Sequence, residues 1–335
     1  MESVEPERVQ LSVEEARTLA QRALRGIGFD AEEARIVSDH VIDAALCGYE
    51  YSGLPKILNV AEHPRWRRPC APMQTRRETA VSALFDGGNN NGMVVVYRAT
   101  QTAIAKAREH GISVVGVNNI WQSGRGAHYV EMIARAGLIG IHTVSSTHQV
   151  APPGGAKAAI GTNPISFGFP TVGEPLLVDL GTSAVMFTDL ALRARRGELL
   201  PKGVAIDAQG RPTRDPLLAQ LGAALPFGGY KGFALAVAMQ ALGVLAGSGD
   251  DVEKAAGYLI IAIKPDLLVP LEDYRRHLTA SIERLKATPR QPGITEIRMP
   301  SEHAFRKRAE ALRNGIVIDR SIYERLLALA KSAAQ

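Results

Sequence analysis

Several classes of protein are excluded by what this chain has little of. Two cysteines, Cys47 and Cys70, are too few for a disulfide framework and lack zinc-site spacing. The expectation is therefore a reducing, cytoplasmic setting and no bound metal. Aromatic residues make up 5% of the chain, and no RNA-binding signature occurs, so nucleic acid is not an expected partner. No apolar run reaches the ~18–20 residues of a membrane span. The longest, Phe233 to Ala246, carries Gln240 and reads as a buried core helix. Met1 to Gln10 is acidic, without the basic-then-apolar layout of a signal peptide. There is no P-loop, no H-E-x-x-H and no nucleophile elbow, which sets aside phosphoryl transfer, zinc proteolysis and α/β-hydrolase chemistry. No G-x-G-x-x-G follows a strand either. The nearest thing, Gly124-Arg125-Gly126, is weak alone.

What is present is ordinary globular composition: 335 residues, 46% apolar, 22% charged, net charge +5. One dense basic cluster, Arg65, Arg67 and Arg68 around Trp66, reads as a solvated surface turn. Ser12 and Glu15 have capping-box spacing before a helix that runs to Gly26. Asp30 and Glu33 repeat the signal, and the second helix stops at Gly48. A polar stretch from His63 to Arg77 separates this helical region from the rest. From Val81 the pattern becomes short strands alternating with helices. Asp86 to Gly92 reads as a turn, Met93 to His110 as a helix stopped by Gly111, and Ile112 to Val117 as a strand. Leu138 to Val144, Ile165 to Phe169 and Leu176 to Leu180 are further strand candidates, the last two bounded by prolines. Pro201 to Pro216 reads as a loop, and helices return at Glu302 to Arg313 and from Ser321. The fold class is α/β or α+β. Residues 1–80 and 295–335 form a helical unit from both chain ends around an α/β centre, 81–294.

Four motifs suit a ligand, each with a plain structural alternative. Ala151-Pro-Pro-Gly-Gly155 can bring backbone N–H groups close to a ligand, or be an ordinary turn. Gly161-Thr-Asn-Pro164 is a turn entering a strand. Asp179, followed by Gly181, Thr182 and Ser183, ends a strand, and Thr182 or Ser183 is either a ligand group or an N-cap. Gly228-Gly-Tyr-Lys-Gly232 opens the apolar helix and sets Lys231 beside a helix N-terminus, where a phosphate or carboxylate is favoured.

In this order these motifs resemble those of the malate/L-lactate dehydrogenase-like oxidoreductases. That family includes sulfolactate and ureidoglycolate dehydrogenases and an imine-reducing branch, the Δ1-piperideine-2-carboxylate/Δ1-pyrroline-2-carboxylate reductases. The likeness runs from about Leu11 to Ala330 and includes Gly48-Tyr-Glu-Tyr-Ser-Gly53, Asp86-Gly87 and Val117 to Tyr129. Val150 to Gly155, Gly161 to Pro164, Val178-Asp179 and Gly229 to Gly232 complete it. The resemblance implies a homodimer, NAD or NADP as cofactor, and a largely antiparallel, non-Rossmann sheet with helices from both chain ends beside it. It further implies cofactor contacts at Gln122, Ser123, Gly124, Arg125 and Gly126, at Leu180, Gly181 and Thr182, and at Tyr230 and Lys231. A small carboxylate substrate would meet Lys56, Thr162, Phe187, Thr188 and His148.

The chain departs from the family where acid–base chemistry is done. The Ser-His-Gly of other members is Tyr51-Ser52-Gly53, Lys56 stands for an arginine, and Gln122 stands for the histidine of Asn-Ser-x-His-x-Gly. An Arg-Gly pair is Phe187-Thr188, with Asp189 retained. The catalytic candidates are therefore Tyr51, Ser52, Gln122 and Asp189, with Tyr51, Lys56, His128 or His148 as substitute proton donors. His128 otherwise reads as structural, and Trp121 as either pocket lining or core. A positioned general acid is worth ~10²–10⁴-fold. Its loss harms reduction of a ketone, which makes an alkoxide, more than reduction of a protonated imine. The readings left open are an NAD(P)H-dependent reductase of a cyclic imine or 2-oxo carboxylate, a 2-hydroxy acid dehydrogenase with a substitute base, and a pseudoenzyme or non-redox enzyme.

Overall fold

The computed structural model describes residues 7–249 and 256–332, excepting the side chains of residues 188, 191, 192, 195 and 196. The two chain ends meet in a small antiparallel sheet, β1 (Arg8–Leu11) against β11 (Ile316–Asp319). Helix α1 (Val13–Gly26) begins with both halves of the Ser12/Glu15 capping box. Helix α2 (Ala31–Leu46) follows, its first turn capped by the Asp30 side chain accepting from the Glu33 N–H. A 3₁₀ turn (Glu50–Ser52) and helix α3 (Pro55–Glu62) complete the N-terminal region. One apolar cluster unites Leu24, Val41, Leu54 and Ile57 from these helices with Ile316, Ile318 and Leu326 from the C-terminal end. Each fully buried side chain of this size contributes about 1.5–3 kcal/mol. That burial holds α1 to α11 (Arg320–Ser332), which lies beside it.

The centre is a seven-stranded sheet. It contains β2 (Gln74–Glu78), β3 (Ser82–Asn91), β4 (Ile112–Trp121), β5 (Ile139–Ser145), β6 (Ile165–Phe169), β7 (Leu176–Leu180) and β10 (Gly257–Ile263). Their spatial order is β2-β3-β4-β10-β5-β6-β7. Strands β3 and β4 are parallel, and the other neighbouring pairs are antiparallel. A parallel pair needs a crossover, which α4 (Gly92–His110) supplies. The Asn91 side chain caps α4, and Gly111 ends it at φ 87°. Helix α5 (Gly126–Arg135) packs on β5 and β6, and α8 (Tyr230–Leu245) on β5 and β10. Gly243 lets α8 lie close, since a Cβ there would meet Ser145 Oγ at 2.1 Å. The short α6 (Phe187–Arg196), α7 (Pro216–Leu221), β8 (Ala205–Ile206) and β9 (Ala223–Ala224) gather around a smaller apolar cluster that includes Leu190, Leu200 and Ala219.

Four sequence expectations give way. Asp86 to Gly92 is not a chain reversal: β3 continues to Asn91 through a register shift between Asp86 and Asn90. Its Gly88 and Asn89 take φ 63° and 65°, so these residues form an irregularity within the strand. The stretch from His63 does not separate two regions. Trp66 stacks on Phe29 at 4.8 Å, and Arg65 donates to Asn89, Asn119 and the Ile120 carbonyl, so the supposed solvated turn is a clasp on β3 and β4. The apolar helix is half-covered: α8 buries Gly232, Ala236, Met239 and Gly243 and exposes Ala234, Val237, Ala241, Val244 and Leu245. Neither Thr182 nor Ser183 caps a helix, because α6 starts later, at N-cap Met186. Strands β1, β10 and β11 and helix α9 (Leu271–Lys286) were not expected from the sequence.

Candidate active site

Strand register brings the ligand-suited motifs to one end of the sheet. Asn118 of β4 and Ser145 of β5 both face Gly257 of β10. Thr143 pairs with Ile165, and Ile165 with Leu180. The segments after Trp121, after Ser145, before Ile165 and after Leu180 therefore leave the sheet together.

One half of this end is a cradle of backbone groups. The Thr182 N–H and Oγ1 both donate to the Thr162 carbonyl at 2.9 Å, and Phe227 N–H donates to the Thr182 carbonyl. Asn163 donates to the Ala236 carbonyl and to Gln240, tying the Gly161–Pro164 turn to α8. Gly181 passes between Met186 and the Thr162 carbonyl. Helix α8 starts at Gly229 with no side-chain cap, and Gly228 and Gly229 take φ 55° and 60°. A Cβ at Gly229 would meet nothing within 4 Å, so the space over this N-terminus is open. Tyr230 and Lys231 are exposed beside it. An uncapped helix start, two glycines and an ammonium fit the phosphates of a dinucleotide.

The other half is built by α3, β4 and the loop from Gln122 to Gly126. Lys56 sits in the first turn of α3, and its ammonium has no hydrogen-bond or ion-pair partner among the described residues. Burial lowers its pKa, and its charge in turn helps hold His40 and His63 below the usual imidazole range. One turn along α3, the Asn59 carbonyl accepts from Gln122 Nε2 at 3.4 Å, while Gln122 Oε1 is buried without a partner. Such an orphaned acceptor costs about 1–3 kcal/mol. Gln122 also takes φ 52°, a strained conformation for a non-glycine residue. Trp121 is buried and stacks on His63 at 4.5 Å, so it is part of the core. Tyr51 and Ser52 are half-buried on the 3₁₀ turn packed against α2 and α3.

The far side of the same loop is anchored by charge. His40 Nε2 accepts the Arg125 N–H at 2.8 Å, and a Cβ on Gly124 would strike His40. The Arg125 guanidinium pairs with Asp43 and lies over Tyr49 at 4.9 Å. Arg308, on α10 (Glu302–Asn314), bridges Asp43 at 2.7 Å and Glu131 at 2.6 Å. His128 Nδ1 lies 3.6 Å from Asp43. Burial pushes Asp43 up, but the nearby His128 ring and the Arg125 and Arg308 charges outweigh it and hold it well below the usual carboxyl range. Asp179 caps α5 by accepting from the Ala127 N–H and from Ser166, where Gly126 leaves room for both. Ser123 hydrogen-bonds Tyr258, whose pKa burial pushes up to about 12, and its carbonyl accepts from the buried Tyr129.

Other expected site residues have contacts or exposure of their own. Asp189 accepts from Arg193 at 2.8 Å on the first turn of α6, Phe187 packs against the Leu190 cluster, and His148 is exposed. The Thr188 side chain lies outside the described residues. Sequence reading passed over His40, Asp43, Asn59 and His63. The His40/Asp43 spacing of three on one helix, and Asn59 three after Lys56, were the available signals.

Residues 11–327 match the malate/L-lactate dehydrogenase family profile. An L-sulfolactate dehydrogenase of Methanothermobacter thermautotrophicus is 34% identical over 96% of this chain and 97% of its own. A Δ1-pyrroline-2-carboxylate/Δ1-piperideine-2-carboxylate reductase of Pseudomonas aeruginosa is 32% identical over 96% of this chain and 99% of its own. Among solved structures, the sulfolactate dehydrogenase of Methanocaldococcus jannaschii superposes with a TM-score of 0.86 at 28% identity, covering 97% of this chain and 98% of that one. Relatives that are dehydrogenases and reductases imply a nicotinamide cofactor, and the open cradle at α8 fits one. This oxidoreductase chain belongs to the malate/L-lactate dehydrogenase family.

Proposed function

We propose that the protein is an NAD(P)H-dependent reductase that adds hydride to C2 of a small cyclic imine or 2-oxo carboxylate, with the cyclic imine preferred. The observation that carries this reading is the α3–β4 end of the site. It offers an ammonium, Lys56, that is unpaired among the described residues, for a carboxylate, and no titrating group at Ser52 or Gln122. Lys56 and Thr162 hold the carboxylate, and Lys231, Gly229 and the Gly181–Thr182 segment hold the cofactor. Bound there, the nicotinamide supplies hydride. Addition to a protonated C=N leaves a neutral amine and requires no acid, whereas a ketone yields an alkoxide that must be protonated.

The rate should fall as pH rises through the substrate iminium pKa. Comparing kcat/KM for Δ1-piperideine-2-carboxylate and pyruvate across pH tests the reading, and faster turnover of pyruvate overturns it. A 2-hydroxy acid dehydrogenase is favoured by one observation, the Asp43–His128 pair, which has the form of an oriented base. It predicts that His128→Asn abolishes oxidation of malate or lactate.

We also assign a homodimer to this protein. The stripe Ala234, Val237, Ala241, Val244 and Leu245 on α8 is apolar and uncovered. Two free cysteines suit a cytoplasmic setting. Val237→Glu with Val244→Glu should convert dimer to monomer in sedimentation velocity, and an unaltered dimer places the interface elsewhere.

A further inference from the structure

The Gln122 amide is oriented by its surroundings. Its Nε2 faces the Asn59 carbonyl, which can only accept, so Oε1 is turned the other way. There Oε1 is buried and meets no donor among the described residues. The backbone holds it there at φ 52°, a conformation that glutamine adopts under constraint. Lys56, one turn before Asn59 on α3, is an ammonium without a counter-anion among the described residues. An orphaned acceptor and an unpaired cation are opposite demands. A ligand meets both when it carries a carboxylate and, beside it, an N–H or O–H donor.

We propose that Gln122 Oε1 accepts the N–H of a protonated cyclic imine and thereby selects an iminium carboxylate over the corresponding 2-oxo acid. This rests on the reductase reading above. The iminium carboxylate is a zwitterion whose anion suits Lys56 and whose cationic N–H suits an amide oxygen. A 2-oxo acid sets a second acceptor against Oε1, and the amide could turn to donate only by giving up Asn59. A 2-hydroxy acid does bring a hydroxyl donor, but its oxidation needs a base, and a glutamine takes no proton. In imine reduction hydride adds to C2, the C=N π pair becomes the nitrogen lone pair, and the N–H remains. The hydrogen bond to Gln122 therefore persists from substrate to product with no proton transferred. On this account glutamine replaces the family histidine as a reader of the nitrogen.

Charged and titratable groups around this end are Lys56 and His63 on and after α3, His40 and Asp43 on α2, Arg125 and His128 at α5, and Tyr258 on β10. None of them is substituted in the Gln122 variants, so differences among those variants report on the amide.

The test compares parent, Gln122→Met and Gln122→Glu on Δ1-piperideine-2-carboxylate and on 2-oxobutanoate, with NAD(P)H affinity and thermal midpoint measured alongside. Gln122→Met should lower kcat/KM for the imine about ten- to hundredfold more than for the oxo acid. Gln122→Glu should keep imine reduction and move its alkaline limb upward, because a carboxylate holds the iminium proton more firmly. Equal losses on both substrates in Gln122→Met, or weaker NAD(P)H binding with an unchanged ratio, overturn the proposal. A binding arm separates it from the reductase reading: pipecolate should bind the parent–NAD(P)⁺ complex better than cyclohexanecarboxylate, and Gln122→Met should erase that preference. If the preference is present and neither substrate turns over, the reductase reading fails and the acceptor role stands. If the imine is reduced and there is no preference, the acceptor role fails and the reductase reading stands.

Discussion

The two sides of the Gln122–Gly126 loop differ in how well their charges are matched. Toward α2, α5 and α10 each acid has arginines: Asp43 meets Arg125 and Arg308, with His128 Nδ1 at 3.6 Å, and Glu131 meets Arg308 and Arg135. Toward α3 the matching stops. Among the described residues Lys56 has no anion and Gln122 Oε1 no donor, and the Gln122 backbone is strained. Only Ser123 and Gly124 separate Gln122 from Arg125, so the same short segment belongs to both. Satisfied charge fixes the loop from behind, and on the proposed function the unmatched groups are the ones a ligand completes. Buried polar groups are normally paired, which makes the unpaired ones the informative set.

The sharpest way to break the satisfied side is Asp43→Ala. It leaves Arg125 and part of Arg308 without their acid and should destabilise the fold by about 3–5 kcal/mol, read from the urea midpoint. Both acids are depressed in the folded state, Glu131 because the Arg308 hydrogen bond and charge outweigh its burial. Depressed carboxyls add stability above the unfolded carboxyl pKa of about 4 and lose it as pH falls through their folded values. Stability should thus be flat near neutrality and drop below about pH 4, less steeply in Asp43→Asn. A parent that is equally stable at pH 3 and 7 would remove this network from the account.

The next effect concerns the cradle. Lys231→Ala should weaken NAD(P)H binding by about ten- to a hundredfold, the scale of ~1.5–3 kcal/mol for a charge-assisted hydrogen bond, with the thermal midpoint unchanged. Unaltered affinity in a fluorescence titration would return Lys231 to an ordinary exposed turn.

Much of the scaffold was legible because local chemistry decides it. The Ser12/Glu15 box, the Gly111 stop and the proline-bounded β6 and β7 all form where the sequence places them. What was not legible depends on partners distant in sequence. Asp43 and Arg308 are 265 residues apart, and Arg65 meets Asn119 across 54, so neither pairing has a local period. β1 and β11 are four residues each and become strands only by finding one another. For the site, the resemblance placed Lys56, Gln122 and Lys231. It could not show that Asn59 turns the Gln122 amide, since a backbone carbonyl leaves no trace in residue type.

The smallest effect on stability is the one that best separates the two sides of the loop. If Lys56 is held for a ligand, it is a cost to the empty protein. Burial lowers its pKa, so between the folded value and the unfolded value near 10.4 the unfolded chain binds more protons than the folded one. Stability then rises with pH across that window, as it does for the Asp43 network at the acid end, but here because an unfavourable charge is lost and there because a favourable one is gained. Lys56→Met keeps a stem of similar length and removes the ammonium. It should stabilise the protein by roughly 1 kcal/mol, the scale gained when one function-bearing position is relieved, and should flatten the rise in stability toward pH 10. The same variant should bind pipecolate at least about tenfold more weakly. A residue that served only packing would give the reverse pair, lower stability and unchanged ligand affinity. Urea midpoints at pH 7 and 9.5, with one ligand titration, decide between them.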